Sequence, residues 1–217
     1  MTAPFYRKPS DLPETAPVFP LEGAMLFPRS NLPLNIFEPR YLNMVDDAMR
    51  GDRIIGMVQP RAGAAPGETP ELAEVGCVGR IVSYTETDDG RYLINLKGAC
   101  RFRIVAETEE ARPYRRAVLD YAPFAQDLKP PSDEIGEMRG DLLGALRQFL
   151  ARNGMKADWT AVEDAPMETL VNALSAGCPF SSIEKQLLLE SPTLRDRAQA
   201  LAALLRIHDP DQSGTLQ

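Results

Sequence analysis

The hydrophobic pattern of this chain changes its period between residues 122 and 131, and this change limits the folds open to it. Up to that point, short apolar runs alternate with Pro, Gly and Asn, a pattern typical of β-strands and sharp bends. Beyond it, apolar side chains recur along one helical stripe at Ile135, Leu142, Leu146 and Phe149. Strands followed by helices predict an α+β protein.

The same change of pattern divides the chain into parts. We predict a β-rich domain over residues 17–122 and a helical subdomain over residues 131–208. The polar, proline-studded residues 1–16 predict a flexible arm, and residues 209–217 predict a tail. No run approaches the ~20 apolar residues of a membrane span, and the first residues carry no signal-peptide pattern. We therefore expect a soluble, cytoplasmic protein without membrane contact.

Local signals predict individual elements in the β-rich part. Apolar residues at helical spacing predict a short helix over residues 39–50 that ends at Gly51. The run 53–59 predicts a buried strand, and the pair Asp89-Gly90 predicts the turn of a hairpin. Residues 60–74 are rich in Ala, Gly and Pro without periodicity, which predicts a mobile loop.

The helical part carries two patterns for helix starts and one row of glycines. Ser181 followed by Glu184 predicts a capping box, and Ser191-Pro192 predicts an N-cap and a first-turn proline for the last helix. The glycines recur at every fourth position, at Gly136, Gly140 and Gly144. This row predicts close packing of its helix against neighbouring helices, and a weak homodimer contact is the alternative.

The charge balance argues against nucleic acid as the main partner. The chain has 24 Lys and Arg against 31 Asp and Glu, a formal net charge of -7, and both halves carry an acidic excess. Nucleic-acid binders gain much of their affinity from basic residues that neutralise phosphates. Arg101 and Arg103 alternate with Phe102 on one predicted strand, a pattern that a nucleic-acid surface also shows. We predict instead that Phe102 lies in the core and that both arginines face solvent.

Sequence patterns for catalysis and metal binding are missing. No G-x-x-x-x-G-K-[ST] loop is present to bind ATP. The only histidine, His208, follows the last helical stripe, where we expect a solvated residue rather than a catalytic base. Cys77, Cys100 and Cys178 lie far apart, which predicts reduced thiols and no zinc site. We therefore expect no enzymatic activity, no metal and no cofactor.

Five segments occur in a characteristic order along the chain. They are FPL at 19–21, LFP at 26–28, LPLNIFEPRY at 32–41, GCVGRIVSYTETDDGRYLINLKGACRFRIV at 76–105 and SIEKQLLLESPTLRDRAQALAALL at 182–205. In order and spacing, over roughly residues 17–207, they resemble the N-terminal, substrate-recognition domain of Lon proteases.

The resemblance implies a fold and a function. The fold is a PUA-like twisted β-barrel domain followed by an α-helical bundle subdomain. The function is that of a protein- or peptide-binding module for unfolded or tagged polypeptides, with a protease or chaperone as partner. No segment resembles the ATPase or Ser-Lys peptidase modules of Lon, so we expect a stand-alone, non-catalytic member of the family. Because some PUA-like proteins bind RNA, an RNA-binding protein is the alternative.

The segment LPLNIFEPRY holds most of the candidates for polypeptide binding. Phe37, Glu38, Arg40 and Tyr41 combine an aromatic anchor, a charge pair and a phenol within five positions, and Tyr84 adds an aromatic residue in the predicted hairpin. Peptide recognition by such a module uses apolar anchors and exposed strand edges. In the alternative, structural interpretation, Glu38 and Arg40 hold the start of the helix against the barrel.

Overall fold

The computed structural model describes residues 6–61, 63, 68–130 and 135–207. The chain divides into two compact units, Met1–Pro130 and Pro131–Gln217. The first contains the strands and one α-helix, and the second contains α-helices, so the α+β class predicted from the sequence is confirmed. None of the helices in the described part is long and apolar enough to cross a membrane.

Six strands of the first unit form one sheet that closes on itself. They are β1 Thr15–Pro20, β2 Asn31–Ile36, β3 Ile54–Val58, β4 Val75–Glu86, β5 Tyr92–Glu107 and β6 Arg116–Asp120. Their order in the sheet is β2-β5-β4-β3-β1-β6, and β5 also pairs with β6. A closed ring is therefore formed by five strands, namely β1, β3, β4, β5 and β6. β2 pairs antiparallel with the first part of β5.

The β4–β5 hairpin forms at the turn that the sequence predicts. Gly90 has φ 78°, the left-handed conformation that favours glycine at this position of a tight turn. The backbone N–H of Thr87 donates to the carbonyl oxygen of Arg91 at 2.9 Å and closes the loop. The prediction of a hairpin at Asp89-Gly90 is confirmed.

Two further elements of the barrel unit follow their sequence signals. Helix α1 is Pro39–Arg50 with Gly51 as its C-cap, as predicted. All five residues of β3 are buried, which confirms the buried strand. In the following loop, the N–H of Arg61 donates to the carbonyl oxygen of Glu71 at 2.7 Å. Residues 62 and 64–67 lie outside the described residues, and the mobility of this loop stays a prediction.

Phe102 fills the middle of the barrel, and a glycine makes room for it. The Phe102 ring is completely buried. A Cβ atom at Gly76 would come within 2.4 Å of this ring and also within 2.4 Å of the Met57 carbonyl oxygen. A side chain at position 76 therefore displaces either the ring or the backbone of β3, and only glycine fits without strain.

The prediction that both strand arginines face solvent is wrong for Arg101. Arg103 is exposed, whereas Arg101 is only 2% exposed. A 3-10 segment, Ala122–Leu128, packs on β5 and carries Asp127 to the arginine. The Asp127 carboxylate accepts hydrogen bonds from Arg101 Nε and Nη2, both at 2.9 Å, and from its backbone N–H at 3.0 Å. The guanidinium also lies 4.5 Å from the ring centre of Phe124, so the arginine is buried with its charge compensated.

Regular structure occurs within the segment for which a flexible arm, residues 1–16, is predicted; residues 1–5 lie outside the described residues, and the flexibility of the arm stays a prediction. Pro9–Asp11 form a 3-10 turn, Leu12 is buried, and β1 begins at Thr15. β1 pairs parallel with β3 and antiparallel with β6. The end of the segment pairs with strands distant in sequence, which a polar local composition does not reveal.

The second unit contains, within residues 135–207, five α-helices. They are α2 Arg139–Arg152, α3 Trp159–Asp164, α4 Met167–Gly177, α5 Ser182–Glu190 and α6 Leu194–Ile207. All four side chains of the predicted helical stripe are buried. Helix α5 begins at the predicted capping box, where Ser181 N–H donates to the Glu184 carboxylate at 2.7 Å and Glu184 N–H donates to Ser181 Oγ at 3.3 Å.

The predicted start of the last helix is wrong by two residues. The Ser191 hydroxyl donates to the carbonyl oxygen of Leu187 at 3.1 Å and so closes the end of α5. Thr193 begins α6 instead: its N–H donates to the Asp196 carboxylate, and Asp196 N–H donates to Thr193 Oγ1, each at 3.1 Å. A second capping box, hidden behind Ser191-Pro192, therefore sets the boundary. His208 lies outside the described residues.

The glycine row of the helical part is not packed as predicted. Gly136 lies in a short 3-10 turn, and Gly140 and Gly144 lie in α2. Apart from its chain neighbours and the backbone of its own helix, a Cβ atom at any of the three would meet no described atom within 4 Å. The prediction of close helix packing is wrong, because the space beside the row is open. The weak homodimer contact stays a prediction.

Candidate functional site

The β4–β5 hairpin continues past the buried core of the barrel. β4 is buried up to Gly79, whereas residues 82–86 are exposed. Opposite them, β5 begins with half-exposed and exposed residues, and β2 pairs along this stretch. We call residues 82–93, together with residues 31–37 of the β2 segment, the hairpin end.

Four large apolar side chains of the hairpin end are exposed to solvent. They are Phe37 at 64%, Val82 at 48%, Leu93 at 46% and Tyr84 at 36% of full exposure. Leu93 is paired with Asn35 of β2 and with Thr85 of β4, and Tyr84 pairs with Ile94 on the opposite face. The hairpin end therefore exposes apolar side chains on both faces of the sheet, with Leu93 on one face and Tyr84 on the other. Several exposed apolar side chains within one short region are candidates for an interaction surface, whereas single ones need no explanation.

A charge pair lies beside Phe37 at the start of α1. Arg40 Nε donates to the Glu38 carboxylate at 2.9 Å, and its Nη2 lies 2.8 Å from the same oxygen. The guanidinium lies 4.5 Å from the ring centre of Tyr41, which packs on Phe19 with 4.2 Å between ring centres. Because both charged groups are about half exposed, the pair contributes about 0–1 kcal/mol.

The five residues predicted as binding candidates do not share one environment. Four of them reach the surface, namely Phe37, Glu38, Arg40 and Tyr84. Tyr41 is 7% exposed and belongs to the core, where its ring supports the Arg40 guanidinium. A direct contact through Tyr41 therefore requires a rearrangement of α1, and the other four do not.

Sequence reasoning missed two apolar residues of this surface, Leu93 and Val82. Alternation along β5 places Leu93 on the same face as Asn95 and Lys97, and an apolar residue on a polar face is a signal for a contact. Val82 gave no such signal, since it lies where the β4–β5 register shifts between Ile81 and Ser83. Such a bulge changes the direction of a side chain in a way that sequence alternation does not show.

Tyr84 packs against Tyr92, and Tyr92 is in turn hydrogen-bonded to Asp46 of α1. The rings of Tyr84 and Tyr92 meet edge to face with 5.0 Å between their centres. Burial, together with hydrogen bonds to Tyr84 and Asp46, raises the pKa of Tyr92. The Tyr92 hydroxyl therefore stays protonated at neutral pH, and the aromatic pair has a fixed orientation.

The cysteine thiols of the described chain are buried. Cys77, Cys100 and Cys178 are all free and buried. Burial raises the pKa of Cys178 to about 11 and also raises the pKa of Cys100, so both thiols stay protonated and inert at neutral pH. Among the described residues, no group of three or more His, Cys, Asp or Glu side chains is placed to hold a metal ion. The hairpin end thus offers apolar area, aromatic edges and charges, the features of a contact surface.

The family model for the ATP-dependent protease La (LON) substrate-binding domain matches residues 15–206. The chain belongs to this family. The resemblance to the Lon N-terminal domain is therefore confirmed, and the matched region takes in both the barrel and the five helices.

Curated relatives and solved structures agree with the family. The chain is 28% identical to Lon protease 2 of Myxococcus xanthus and 34% identical to the Lon protease of Syntrophus aciditrophicus, with 94% and 89% of this chain covered. It spans about a quarter of the length of these relatives, 25% in both cases.

Two Lon N-terminal domain structures share the fold. The one from Xanthomonas campestris has a TM-score of 0.61 at 23% identity, covering 87% of this chain and 97% of its own. The one from the Mycobacterium avium complex Lon protease has a TM-score of 0.66 at 15% identity, covering 90% of this chain and 100% of its own. The TM-scores show a common fold. At these sequence identities the likeness shows the fold alone.

Proposed function

We propose that this chain is a non-catalytic module that binds unfolded or tagged polypeptides at the hairpin end. The exposure of four large apolar side chains in the hairpin end, beyond the buried part of β4, carries the proposal. Phe37 and Leu93 are the main anchors, and Glu38 and Arg40 form a polar rim. Val82 and Tyr84 are further apolar contacts, with Tyr84 on the face opposite Leu93. A polypeptide that has lost its own core presents the apolar side chains that such a surface buries.

The proposed fold is a PUA-like twisted barrel, and its rigidity suits this function. The closed ring of five strands gives the hairpin end a fixed base. A rigid surface lowers the conformational entropy that binding costs. Because the relatives are Lon proteases, a protease is the proposed partner that receives the bound polypeptide, and a chaperone is the second choice.

The net charge of -7 favours a polypeptide over RNA. Phosphate neutralisation dominates nucleic-acid affinity and weakens steeply with salt. Burial of apolar side chains does not depend on charge and survives moderate salt. The two ligands are therefore distinguished by how their affinity responds to ionic strength.

The test is a fluorescence-anisotropy titration of labelled unfolded peptide and of labelled single-stranded RNA, each at low and at physiological salt. The double variant Phe37→Ser/Leu93→Ser removes both anchors. Val105→Ser is the matched control, since Val105 is 63% exposed near the other end of β5. Circular dichroism checks that each variant is folded, which we expect because the replaced side chains are exposed.

We expect the unfolded peptide to bind at both salt concentrations and RNA to bind weakly. With each anchor contributing about 1 kcal/mol, the double variant loses about 2 kcal/mol and weakens peptide binding about thirtyfold. The control variant leaves the affinity unchanged. Tight RNA binding with a steep salt dependence and no peptide binding would reverse the proposal in favour of RNA. Equal losses in the double variant and in the control would remove the hairpin end as the site.

A further inference from the structure

The hairpin end has one corner in which an aromatic pair meets unpaired carboxylates. The register of β4 and β5 places Glu86 directly opposite Tyr92, with Tyr84 next on the same face. Glu86 and Asp88 are exposed, and their carboxylates make no hydrogen bond or ion pair with any residue in the described part of the chain. Asp46 approaches the same corner from α1 through its hydrogen bond to Tyr92.

Two arginines in or beside the hairpin end, Arg91 and Arg40, are already held by carboxylates of their own. Arg91 Nη2 lies 2.7 Å from the Asp89 carboxylate across the turn. Arg40 is paired with Glu38 and covers the ring of Tyr41 rather than that of Tyr84. Neither arginine pairs with Glu86 or Asp88, whose carboxylates carry negative charge next to the exposed Tyr84 ring and the half-buried Tyr92 ring.

We propose that the corner formed by Tyr84, Glu86 and Tyr92 recognises a lysine or arginine side chain of the bound polypeptide. The proposal rests on the polypeptide-binding function above and names its preferred substrate class, segments that combine apolar and basic residues. A cation over a tyrosine ring is attracted by the π-electrons, and a carboxylate at the neighbouring position attracts it further. An acidic residue at the same place in a polypeptide is repelled by Glu86 and Asp88.

The experiment compares three labelled unfolded peptides that share one apolar core and differ in flanking residues, which are Lys, Gln or Glu. The protein is the full chain, and affinities are measured by anisotropy. Glu86→Gln removes the charge at nearly constant shape, and Tyr84→Leu keeps apolar area while removing the ring. Glu22→Gln is the control, because Glu22 is also exposed, has no ion pair among the described residues, and lies in the loop after β1.

We expect the Lys peptide to bind about tenfold more tightly than the Glu peptide to the unchanged protein, with the Gln peptide between them. Glu86→Gln and Tyr84→Leu each reduce this ratio by about threefold, and Glu22→Gln leaves it unchanged. Higher salt lowers the ratio between the affinities for the Lys and Glu peptides, and the Gln peptide still binds.

Each other outcome decides against the inference. Equal binding of the three peptides overturns the basic preference and leaves the polypeptide-binding function standing. A preference that falls equally in Glu86→Gln and Glu22→Gln comes from overall charge and overturns the assignment to this corner. Failure of all three peptides to bind overturns the proposed function and the inference together.

Discussion

Replacing Asp127 by leucine tests the buried ion pair that links the 3-10 segment to β5. The carboxylate of Asp127 accepts three hydrogen bonds from Arg101, two from the guanidinium and one from the backbone N–H. The side chains of Arg101 and Asp127 are only 3% and 9% exposed. Asp127→Leu keeps a side chain of similar size and leaves the guanidinium buried without its counter-charge.

The expected cost of this single change is large. Leaving one charge of a buried pair without its partner destabilises a protein by about 3–5 kcal/mol. With a urea m-value of about 1–3 kcal/mol per molar, the unfolding midpoint falls by more than about 1 M. Arg101→Met alone has a similar effect. The double variant Arg101→Met/Asp127→Leu removes both charges and costs much less than the sum of the two single changes.

The positions of the tyrosines and of the tryptophan allow the unfolding of each unit to be measured separately. All six tyrosines lie within residues 1–130, and the single tryptophan, Trp159, lies in the helical unit. The near-ultraviolet tyrosine signal therefore reports barrel unfolding in urea, while selectively excited tryptophan reports the helices. A loss below about 1 kcal/mol for Asp127→Leu, the size expected of a solvated surface pair, would refute the burial of this pair.

Three further predictions follow from the packing and the titrating groups. Gly76→Ala destabilises the barrel by about 1–3 kcal/mol because the added methyl meets the Phe102 ring, and an unchanged urea midpoint contradicts this packing. The cysteine thiols, including Cys178, resist a thiol-specific reagent in the native protein at mildly alkaline pH and react after unfolding, whereas rapid reaction of the native protein contradicts their burial. The hydrogen bond from the Tyr114 hydroxyl at 2.6 Å, with Arg112 beside it, holds the pKa of Asp47 below its usual range. Because the folded-state pKa is lowered, this carboxylate stabilises the fold above the usual aspartate range and the stabilisation is lost as pH falls through the lowered pKa. Tyr114→Phe therefore raises the pKa of Asp47, followed by NMR titration of its carboxyl carbon, and an unchanged value contradicts the assigned cause.

Local chemistry explains the elements that could be predicted from the sequence. The turn at Asp89-Gly90, the helix over residues 39–50 and the capping box at Ser181 each depend on residues within a few positions of one another. In these cases the hydrogen bonds and the backbone conformation are decided by neighbours along the chain. Predictions of this kind therefore agree with the structure to within a residue or two.

The features that local patterns do not reveal depend on partners that are distant in sequence. Arg101 is buried because Asp127, 26 residues away, neutralises it, and strand periodicity alone places an arginine in solvent. β1 forms because β3 and β6 lie on its two sides. The binding candidates depend on the same kind of information. Exposure separates Phe37 from the buried Tyr41, and it adds Leu93, whose neighbours come from two other strands.

The most direct test of the central claim is site-specific photo-crosslinking to a denatured client protein. A photoreactive phenylalanine analogue replaces Leu93 in one protein and Val105 in another, so that both probes lie on β5 at exposed positions. We predict crosslinks from position 93 to apolar segments of the client, competed by unlabelled unfolded peptide, and background levels from position 105. Equal crosslinking from the two positions, or crosslinking from position 105 alone, would contradict binding at the hairpin end.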